Sequence, residues 1–318
     1  MAFRIAISHR LEYKLFDSLK EHHKLIEPKE DEFSKEELLG HIKHVDIIIT
    51  IFGFVIDKSM MDQATNLRLI ANYGAGYNNI DTDYAASKGI HVTNTPLSVV
   101  EPTAELGMGL LLSLSRKIAY LHHQIVNHET IRWGLFDNLG MTLQHKKLGV
   151  IGCGRIGTSF ARKAKAFGME ISYYNRNRKP ESIEMEIGMT YKPFEKILKD
   201  SDVISINTPL SKKTYHLIDE PELSKIKRGG LIINTARGAV INERALIKFL
   251  ANGHLGGAGL DVFENEPEIP HELRKLDNVV LVPHIGTASY DDRKGMGDEV
   301  IKNVNQFING EEPDALVC

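Results

Sequence analysis

The chain has 318 residues, long enough for two domains, and its 42% hydrophobic content is ample to bury two cores. A formal net charge of -3, from 39 basic and 42 acidic residues interspersed along the chain, argues against a nucleic-acid partner. Its two cysteines make neither a disulfide framework nor a metal-ligand pattern, so a reducing compartment and a site without metal are expected.

The N-terminus reads as a short strand over residues 3–7, interrupted by Arg4 and followed by charge, not as a signal peptide. A helix from about residue 11 and strands over 45–51, 67–73 and 90–92 follow, which is α/β patterning. The 45–51 segment is apolar apart from Asp46 and Thr50, as a parallel strand covered on both faces requires. Leu97-Ser98 and Glu101-Pro102 punctuate the chain before a helix of small and apolar residues. The longest apolar run, 106–114, is bounded by Glu105 and Arg116 and is far short of the roughly 20 residues of a membrane span. A soluble, cytoplasmic protein with no membrane partner is expected.

Strands over 148–151, 170–174, 203–207, 231–235, 257–260 and 279–281, with helices between, predict a six-stranded doubly wound sheet. Its ligand site should lie beyond the carboxyl ends of the strands. A helix over 289–308, with Met296, Val300, Val304 and Phe307 at helical spacing, is expected to return to the first domain. The division expected is therefore 1–98 with 290–318, and 99–289 between them.

The segment Val150-Ile151-Gly152-Cys153-Gly154-Arg155-Ile156-Gly157 follows a predicted strand and opens a helix whose apolar positions are Ile156, Phe160, Ala164 and Phe167. In a dinucleotide fingerprint Gly152 allows the tight turn, Gly154 lets backbone N–H groups approach a pyrophosphate, and Gly157 packs the helix on its strand. Cys153 reads as a small apolar side chain in this loop. About 20 residues on, the sequence is Tyr174-Asn175-Arg176-Asn177-Arg178-Lys179 where an NAD site carries an acid. Asn175 lacks the charge that repels a 2′-phosphate, and Arg176 or Arg178 could pair with one, so NADP(H) is expected over NAD(H). The alternative for Arg178 and Lys179 is an ordinary solvated charge after a strand.

Three further segments fall near predicted strand ends: Asn234-Thr235-Ala236-Arg237-Gly238, Asp261-Val262-Phe263-Glu264-Asn265-Glu266-Pro267 and Pro283-His284-Ile285-Gly286. With the fingerprint and Ala71-Asn72-Tyr73-Gly74-Ala75-Gly76, their order and spacing closely resemble the D-isomer-specific 2-hydroxyacid dehydrogenases over essentially the whole chain. The resemblance implies two Rossmann-like domains, the central one binding the dinucleotide and a flavodoxin-like one, formed by both chain ends, binding substrate. It implies catalysis by Arg237, Glu266 and His284. Arg237 suits a carboxylate as a permanently charged fork. His284 is placed to give a proton to the carbonyl oxygen during reduction. Glu266 would bond the imidazole and favour its charged form.

The resemblance further places the substrate carboxylate on N–H groups of Gly74, Ala75 and Gly76, a turn able to form an anion nest. It places cofactor contacts at Thr103, Gly152, Gly154, Arg155, Ile156, Gly157, Asn175, Arg176, Thr208, Pro209, Thr235, Ala236, Asp261, His284 and Gly286. Thr103 could equally cap its helix, and Asp261 could be a buried structural acid satisfied by nearby backbone N–H groups.

A small 2-oxo or 2-hydroxy acid is the implied partner, with glyoxylate or hydroxypyruvate favoured. D-lactate and phosphoglycerate dehydrogenation are the alternatives within the class, and a nucleotide-sensing co-repressor without turnover is the alternative outside it. Phe52 and Phe54 are candidates for restricting substrate size. The family is usually dimeric, and a homodimer is expected here, with the apolar helix over 103–114 and the segment around Trp133 as candidate contacts.

Overall fold

The computed structural model describes residues 2–11, 14–51, 53–127 and 130–318. Its contacts separate into two units, Met1–Val99 with Thr287–Cys318, and Val100–Gly286. Phe52, a candidate for substrate size, lies outside the described residues.

In the first unit five strands are described: β1 (Arg4–Ile7), β2 (Lys24–Ile26), β3 (Ile47–Ile51), β4 (Leu69–Tyr73) and β5 (His91–Thr93). All neighbours are parallel, in the order β2-β1-β3-β4-β5. That is the flavodoxin order. Every residue of β3 and β4 is buried, which explains their unbroken apolar runs. The helix expected from about residue 11 is represented, among the described residues, by one turn at Asp17–Lys20. Side-chain caps at Ser34, Asp57 and Asp81 start the next three helices by accepting otherwise orphaned backbone N–H groups. The last helix, Tyr290–Ile308, is capped by Ser289 and buries Met296, Val300 and Val304 as its spacing predicts. It packs on β4, and the Tyr73 hydroxyl donates to the Arg293 carbonyl.

The second unit has seven described strands, one more than expected: β6 (Lys147–Ile151), β7 (Glu170–Tyr174), β8 (Met189–Tyr191), β9 (Val203–Ile206), β10 (Leu231–Asn234), β11 (Gly257–Leu260) and β12 (Val279–Leu281). Their parallel order is β12-β11-β10-β9-β6-β7-β8. The extra strand, β8, has three residues at a sheet edge and only Met189 buried, so no apolar period announces it. The order reverses between β6 and β9, creating the switch point of a doubly wound sheet.

The helix Arg155–Ala166 buries Gly157, Phe160, Ala161 and Ala164 against the sheet. Phe167 departs from its expected place: it is the C-cap and 46% exposed, because the turn that ends the helix swings it off the packed face. The helix Val100–Ser115 packs on that helix and on β10 and β11, burying Ala104, Met108, Leu110 and Leu111. A Cβ on Gly107 would lie 3.0 Å from the Phe160 ring, so the two helices meet at a glycine. The apolar run is thus largely consumed inside its own unit. Exposed apolar side chains lie further on, at Ile118, Ile125 and Val126 of a helix with no buried residue, and at Trp133, Leu135, Phe136 and Leu139.

Candidate active site

The carboxyl ends of β6, β7, β9, β10, β11 and β12 all deliver candidate site residues, as a parallel sheet with a switch point requires. The β6 end turns at Gly152, whose φ of 87° favours glycine. A Cβ there would strike the Thr208 nitrogen at 2.5 Å and the Asn207 carbonyl carbon at 2.7 Å. On Gly157 a Cβ would lie 2.6 Å from the Gly152 oxygen and 3.3 Å from Asn207 Cβ. By contrast, a Cβ on Gly154 would meet nothing within 4 Å. Two of the glycines are therefore demanded by packing, and Gly154 keeps an outward face of backbone clear.

Gly154 is the N-cap residue of the following helix and has no side chain to satisfy that helix's first N–H groups. Exposed Arg155 and half-buried Ile156 begin the helix. Clear backbone and unpaired positive helix end fit the pyrophosphate of a nicotinamide dinucleotide. Half-buried Thr208 lies against the glycine turn, and exposed Pro209 has its carbonyl held by the Thr214 hydroxyl at 2.6 Å.

At the β7 end Asn175 Oδ1 accepts the Cys153 N–H at 2.6 Å, while its Nδ2 donates to the Cys153 carbonyl at 3.3 Å. Asn175 therefore braces the glycine loop. Arg176 is exposed, and among the described residues no partner holds its guanidinium. Arg178 is exposed, as the reading of a solvated charge expects, but it is also paired, its fork closing on Glu184.

The β10 end forms a tight turn built on Asn234. Buried Asn234 accepts the Ala236 N–H at 3.0 Å through Oδ1 and donates to the Arg237 carbonyl at 3.0 Å through Nδ2. This turn places half-buried Thr235, Ala236 and Arg237. Burial works to lower the Arg237 pKa and the charge of Glu266 opposes it; burial wins, but the group starts so high that it remains a cation. Next to it, a Cβ on Gly238 would fall 1.9 Å from the Phe263 carbonyl carbon. Only glycine lets the Arg237 turn lie against the loop that carries Glu266.

In that loop Glu266 accepts the Phe263 N–H at 3.0 Å through Oε1, and its Oε2 takes the His284 Nδ1–H at 2.7 Å. Burial disfavours the Glu266 carboxylate, but the His284 hydrogen bond and charge, the Phe263 N–H and Arg237 outweigh it and hold its pKa below the usual value. The bond at Nδ1 fixes the tautomer and leaves His284 Nε2 as the outward nitrogen.

Asp261, at the β11 end, settles the path of the His284 segment. Its backbone oxygen accepts the His284 N–H at 2.9 Å, its Oδ1 the Ile285 N–H at 2.6 Å and its Oδ2 the Gly286 N–H at 3.0 Å. One residue thus holds three consecutive amides and steadies His284 in the left-handed region, at φ 52°. Burial pushes the Asp261 carboxyl up to about 6, against the pull of those amides and of His284. Buried Thr103 donates to the Gly286 carbonyl at 3.4 Å, so Thr103, Asp261 and Gly286 form one cluster beside His284.

The turn Gly74-Ala75-Gly76 belongs to the first unit, at the β4 end. Its carbonyls are tied back: Asn72 Nδ2 donates to Gly74 and Gly76 at 2.8 and 3.0 Å, and Asn94 Nδ2 to Ala75 at 2.8 Å. The Gly74 N–H is spent on the Asn72 carbonyl at 3.0 Å, which leaves Ala75 and Gly76 as the donors of this turn.

Several residues that build the site were missed in the sequence: Asn234, Asn207, Gly238 and Glu184. Asn234 and Gly238 sit within a recognised motif, and an Asn three residues before a functional Arg is a turn signal. Glu184 looks like any helix-surface acid, and nothing local marks it.

A sequence model described as D-isomer specific 2-hydroxyacid dehydrogenase, NAD binding domain, matches residues 108–286. The chain is 46% identical over 284 residues to a glyoxylate reductase of Thermococcus litoralis, covering 88% of this chain and 86% of that protein. Among solved structures it is similar to a glyoxylate reductase from Paecilomyes thermophila, with TM-score 0.91, 33% identity, and 99% and 98% of the two chains covered. It is also similar to the NADPH-dependent glyoxylate/hydroxypyruvate reductase of Sinorhizobium meliloti in complex with NADP and malonate, with TM-score 0.90, 30% identity, and 100% and 97% covered. The cradle for a nicotinamide dinucleotide and these likenesses converge, and the chain belongs to the D-isomer specific 2-hydroxyacid dehydrogenase family of oxidoreductases.

Proposed function

We propose that this protein reduces a small 2-oxo acid, glyoxylate or hydroxypyruvate, to the D-2-hydroxy acid, with NADPH preferred over NADH. The observation that carries the reading is the Glu266–His284 pair at 2.7 Å, which leaves Nε2 outward, on a loop pressed against the turn of Arg237. Glyoxylate reductases stand among the relatives with most of their length covered, which supports the substrate class. Exposed Arg176, without a partner among the described residues, and uncharged Asn175 support NADPH.

When bound, the reduced nicotinamide supplies a hydride to the carbonyl carbon. Arg237 holds the substrate carboxylate and polarises the neighbouring carbonyl. In the first unit, the turn over residues 74–76 keeps the Ala75 and Gly76 N–H groups as donors able to hold an anion. His284, held through Nδ1, delivers the Nε2 proton to the carbonyl oxygen as charge develops there. Glu266 keeps the ring oriented through the bond at Nδ1. Asp261 works on the geometry of this step by fixing the backbone of residues 284–286.

A second copy of the chain is part of the proposal. Trp133 is 95% exposed and Phe136 79%, beside a helix with no buried residue, which is the kind of surface a partner covers. A cytoplasmic location is also proposed, supported by two unpaired cysteines, one of them buried. Among the described residues no helix is long and apolar enough to cross a membrane.

The test is the loss of absorbance at the reduced-nicotinamide band, with NADPH and NADH against glyoxylate, hydroxypyruvate, pyruvate and a larger 2-oxo acid. Turnover greatest with the first two and NADPH is expected. No turnover with any of them, with nucleotide binding demonstrated, overturns the enzymatic reading. Catalytic efficiency more than tenfold higher with NADH overturns the cofactor preference alone.

A further inference from the structure

Two anchors bound the short segment between β7 and the next helix. At its start Asn175 is bonded through both amide atoms to Cys153 in the glycine loop. At its end Arg178 Nε donates to Glu184 Oε1 at 2.8 Å and Arg178 Nη2 to Glu184 Oε2 at 2.6 Å, a bidentate fork. Glu184 lies on the helix Glu181–Ile187 and is buried, unusual for a helix acid. Its Oε1 also accepts the hydroxyl of Tyr173, at 2.5 Å, from the fully buried last-but-one residue of β7. That hydroxyl in turn accepts the Lys179 N–H at 2.8 Å. Strand, turn and helix are thereby joined through one carboxylate. Between the anchors Arg176 and Asn177 are exposed.

Both arginines are close to where an adenosine ribose lies in a fold of this kind, but they are not equivalent. Diverting the Arg178 fork to a phosphate would strip a buried carboxylate of its counter-charge, which is costly. Arg176 has no such commitment. We propose that Arg178 is a positioning residue for cofactor selection and not a phosphate ligand: its fork on buried Glu184, together with Tyr173, holds the turn that presents Arg176 to the 2′-phosphate. The proposal rests on the NADPH reading above.

The sign of one variant separates the two roles. Glu184→Gln removes a negative charge and loosens Arg178. If Arg178 bound the phosphate directly, both changes would strengthen binding of a 2′-phosphorylated nucleotide. If Arg178 acts through the turn, binding weakens.

The experiment is calorimetric titration of the full-length protein with 2′,5′-ADP and with 5′-AMP, read as the ratio of the two dissociation constants. Arg176→Ala should lower the preference for 2′,5′-ADP about tenfold, the worth of a charge-assisted contact. Glu184→Gln and, separately, Arg178→Ala should each lower it roughly three- to tenfold, and neither should lower it further when Arg176 is already alanine. Arg178 is exposed, so its alanine variant keeps the test alive if Glu184→Gln does not fold. A preference that rises or stays level in Glu184→Gln, or an Arg178 effect that persists undiminished in the Arg176→Ala background, overturns the positioning role while leaving the NADPH reading intact. A preference unmoved by Arg176→Ala overturns both.

Discussion

Gly238→Ala is a one-methyl change that should separate two loops. The added carbon would sit 1.9 Å from the Phe263 carbonyl carbon, 2.1 Å from its oxygen and 2.4 Å from the Glu264 nitrogen. All three are backbone atoms, so no rotamer change relieves the overlap. Restoring ordinary contact requires the two backbones to part by about 1.5 Å, which overpacking data put at roughly 1–3 kcal/mol of stability. For a chain of this size the melting temperature should fall by roughly 2–4 °C per kcal/mol. The functional loss should be larger in proportion, because the parted segments carry Arg237 on one side and Glu266 on the other. A displacement of about 1 Å costs on the order of 100-fold in rate. Steady-state reduction of glyoxylate, with thermal melts on the same sample, measures both. A variant that melts lower yet keeps kcat/KM within twofold of the parent would refute the claim that this contact sets the catalytic geometry.

Gly154→Ala is the contrasting prediction: its Cβ meets nothing in the protein, so the melting temperature should hold while nucleotide affinity drops, as calorimetry would show. His284→Ala should lower the chemical rate by roughly 10²–10⁴ with nucleotide affinity nearly unchanged, and equal single-turnover rates would remove it from the proton transfer. Arg178, then Tyr173, holds the Glu184 carboxyl down at about 2, against an ordinary 4.5. The unfolded chain therefore binds the extra proton in that window, so the stabilisation is full above 4.5 and fades as pH falls towards 2. Urea unfolding should show a parent advantage over Glu184→Gln at pH 7 that shrinks by about pH 3; a gap independent of pH would contradict it. Phe136→Asp should shift the sedimentation coefficient towards that of a single chain, and an unchanged value would place the contact elsewhere.

Much of this architecture was legible because buried parallel strands announce themselves. β3, β4 and β6 are apolar nearly throughout, and the glycine spacing marks the β6 turn. β2 and β8 were not legible, since Lys24-Leu25-Ile26 and Met189-Thr190-Tyr191 mix polar and apolar residues over too few positions to show a period, whereas the equally short edge strand β12 is an unbroken apolar run. The residues proposed for catalysis were found through motif resemblance, because an Arg, a Glu and a His many residues apart have no local signature. What motifs could not distinguish was how two neighbouring arginines divide their work. Arg176 and Arg178 look alike in sequence, and only the buried position of Glu184, fixed by long-range packing of its helix, tells them apart. Similarly, the bracing role of Asp261 is visible only in the amides of Ile285 and Gly286 on its two oxygens.

The glycine fingerprint is written as one stretch of sequence, but its steric requirement is shared with a distant one. Gly157 lacks a side chain chiefly on account of the Gly152 oxygen, but Gly152 lacks one on account of the Asn207 and Thr208 backbone, about fifty residues downstream on the neighbouring strand's exit. The loop is therefore not a portable cassette. Transplanting residues 150–157 into another parallel sheet would reproduce the letters and lose the reason for them unless the adjoining strand's exit came too. Conversely, a redesign that shifted the backbone at Asn207 and Thr208 towards the loop would damage the nucleotide cradle without touching a single glycine.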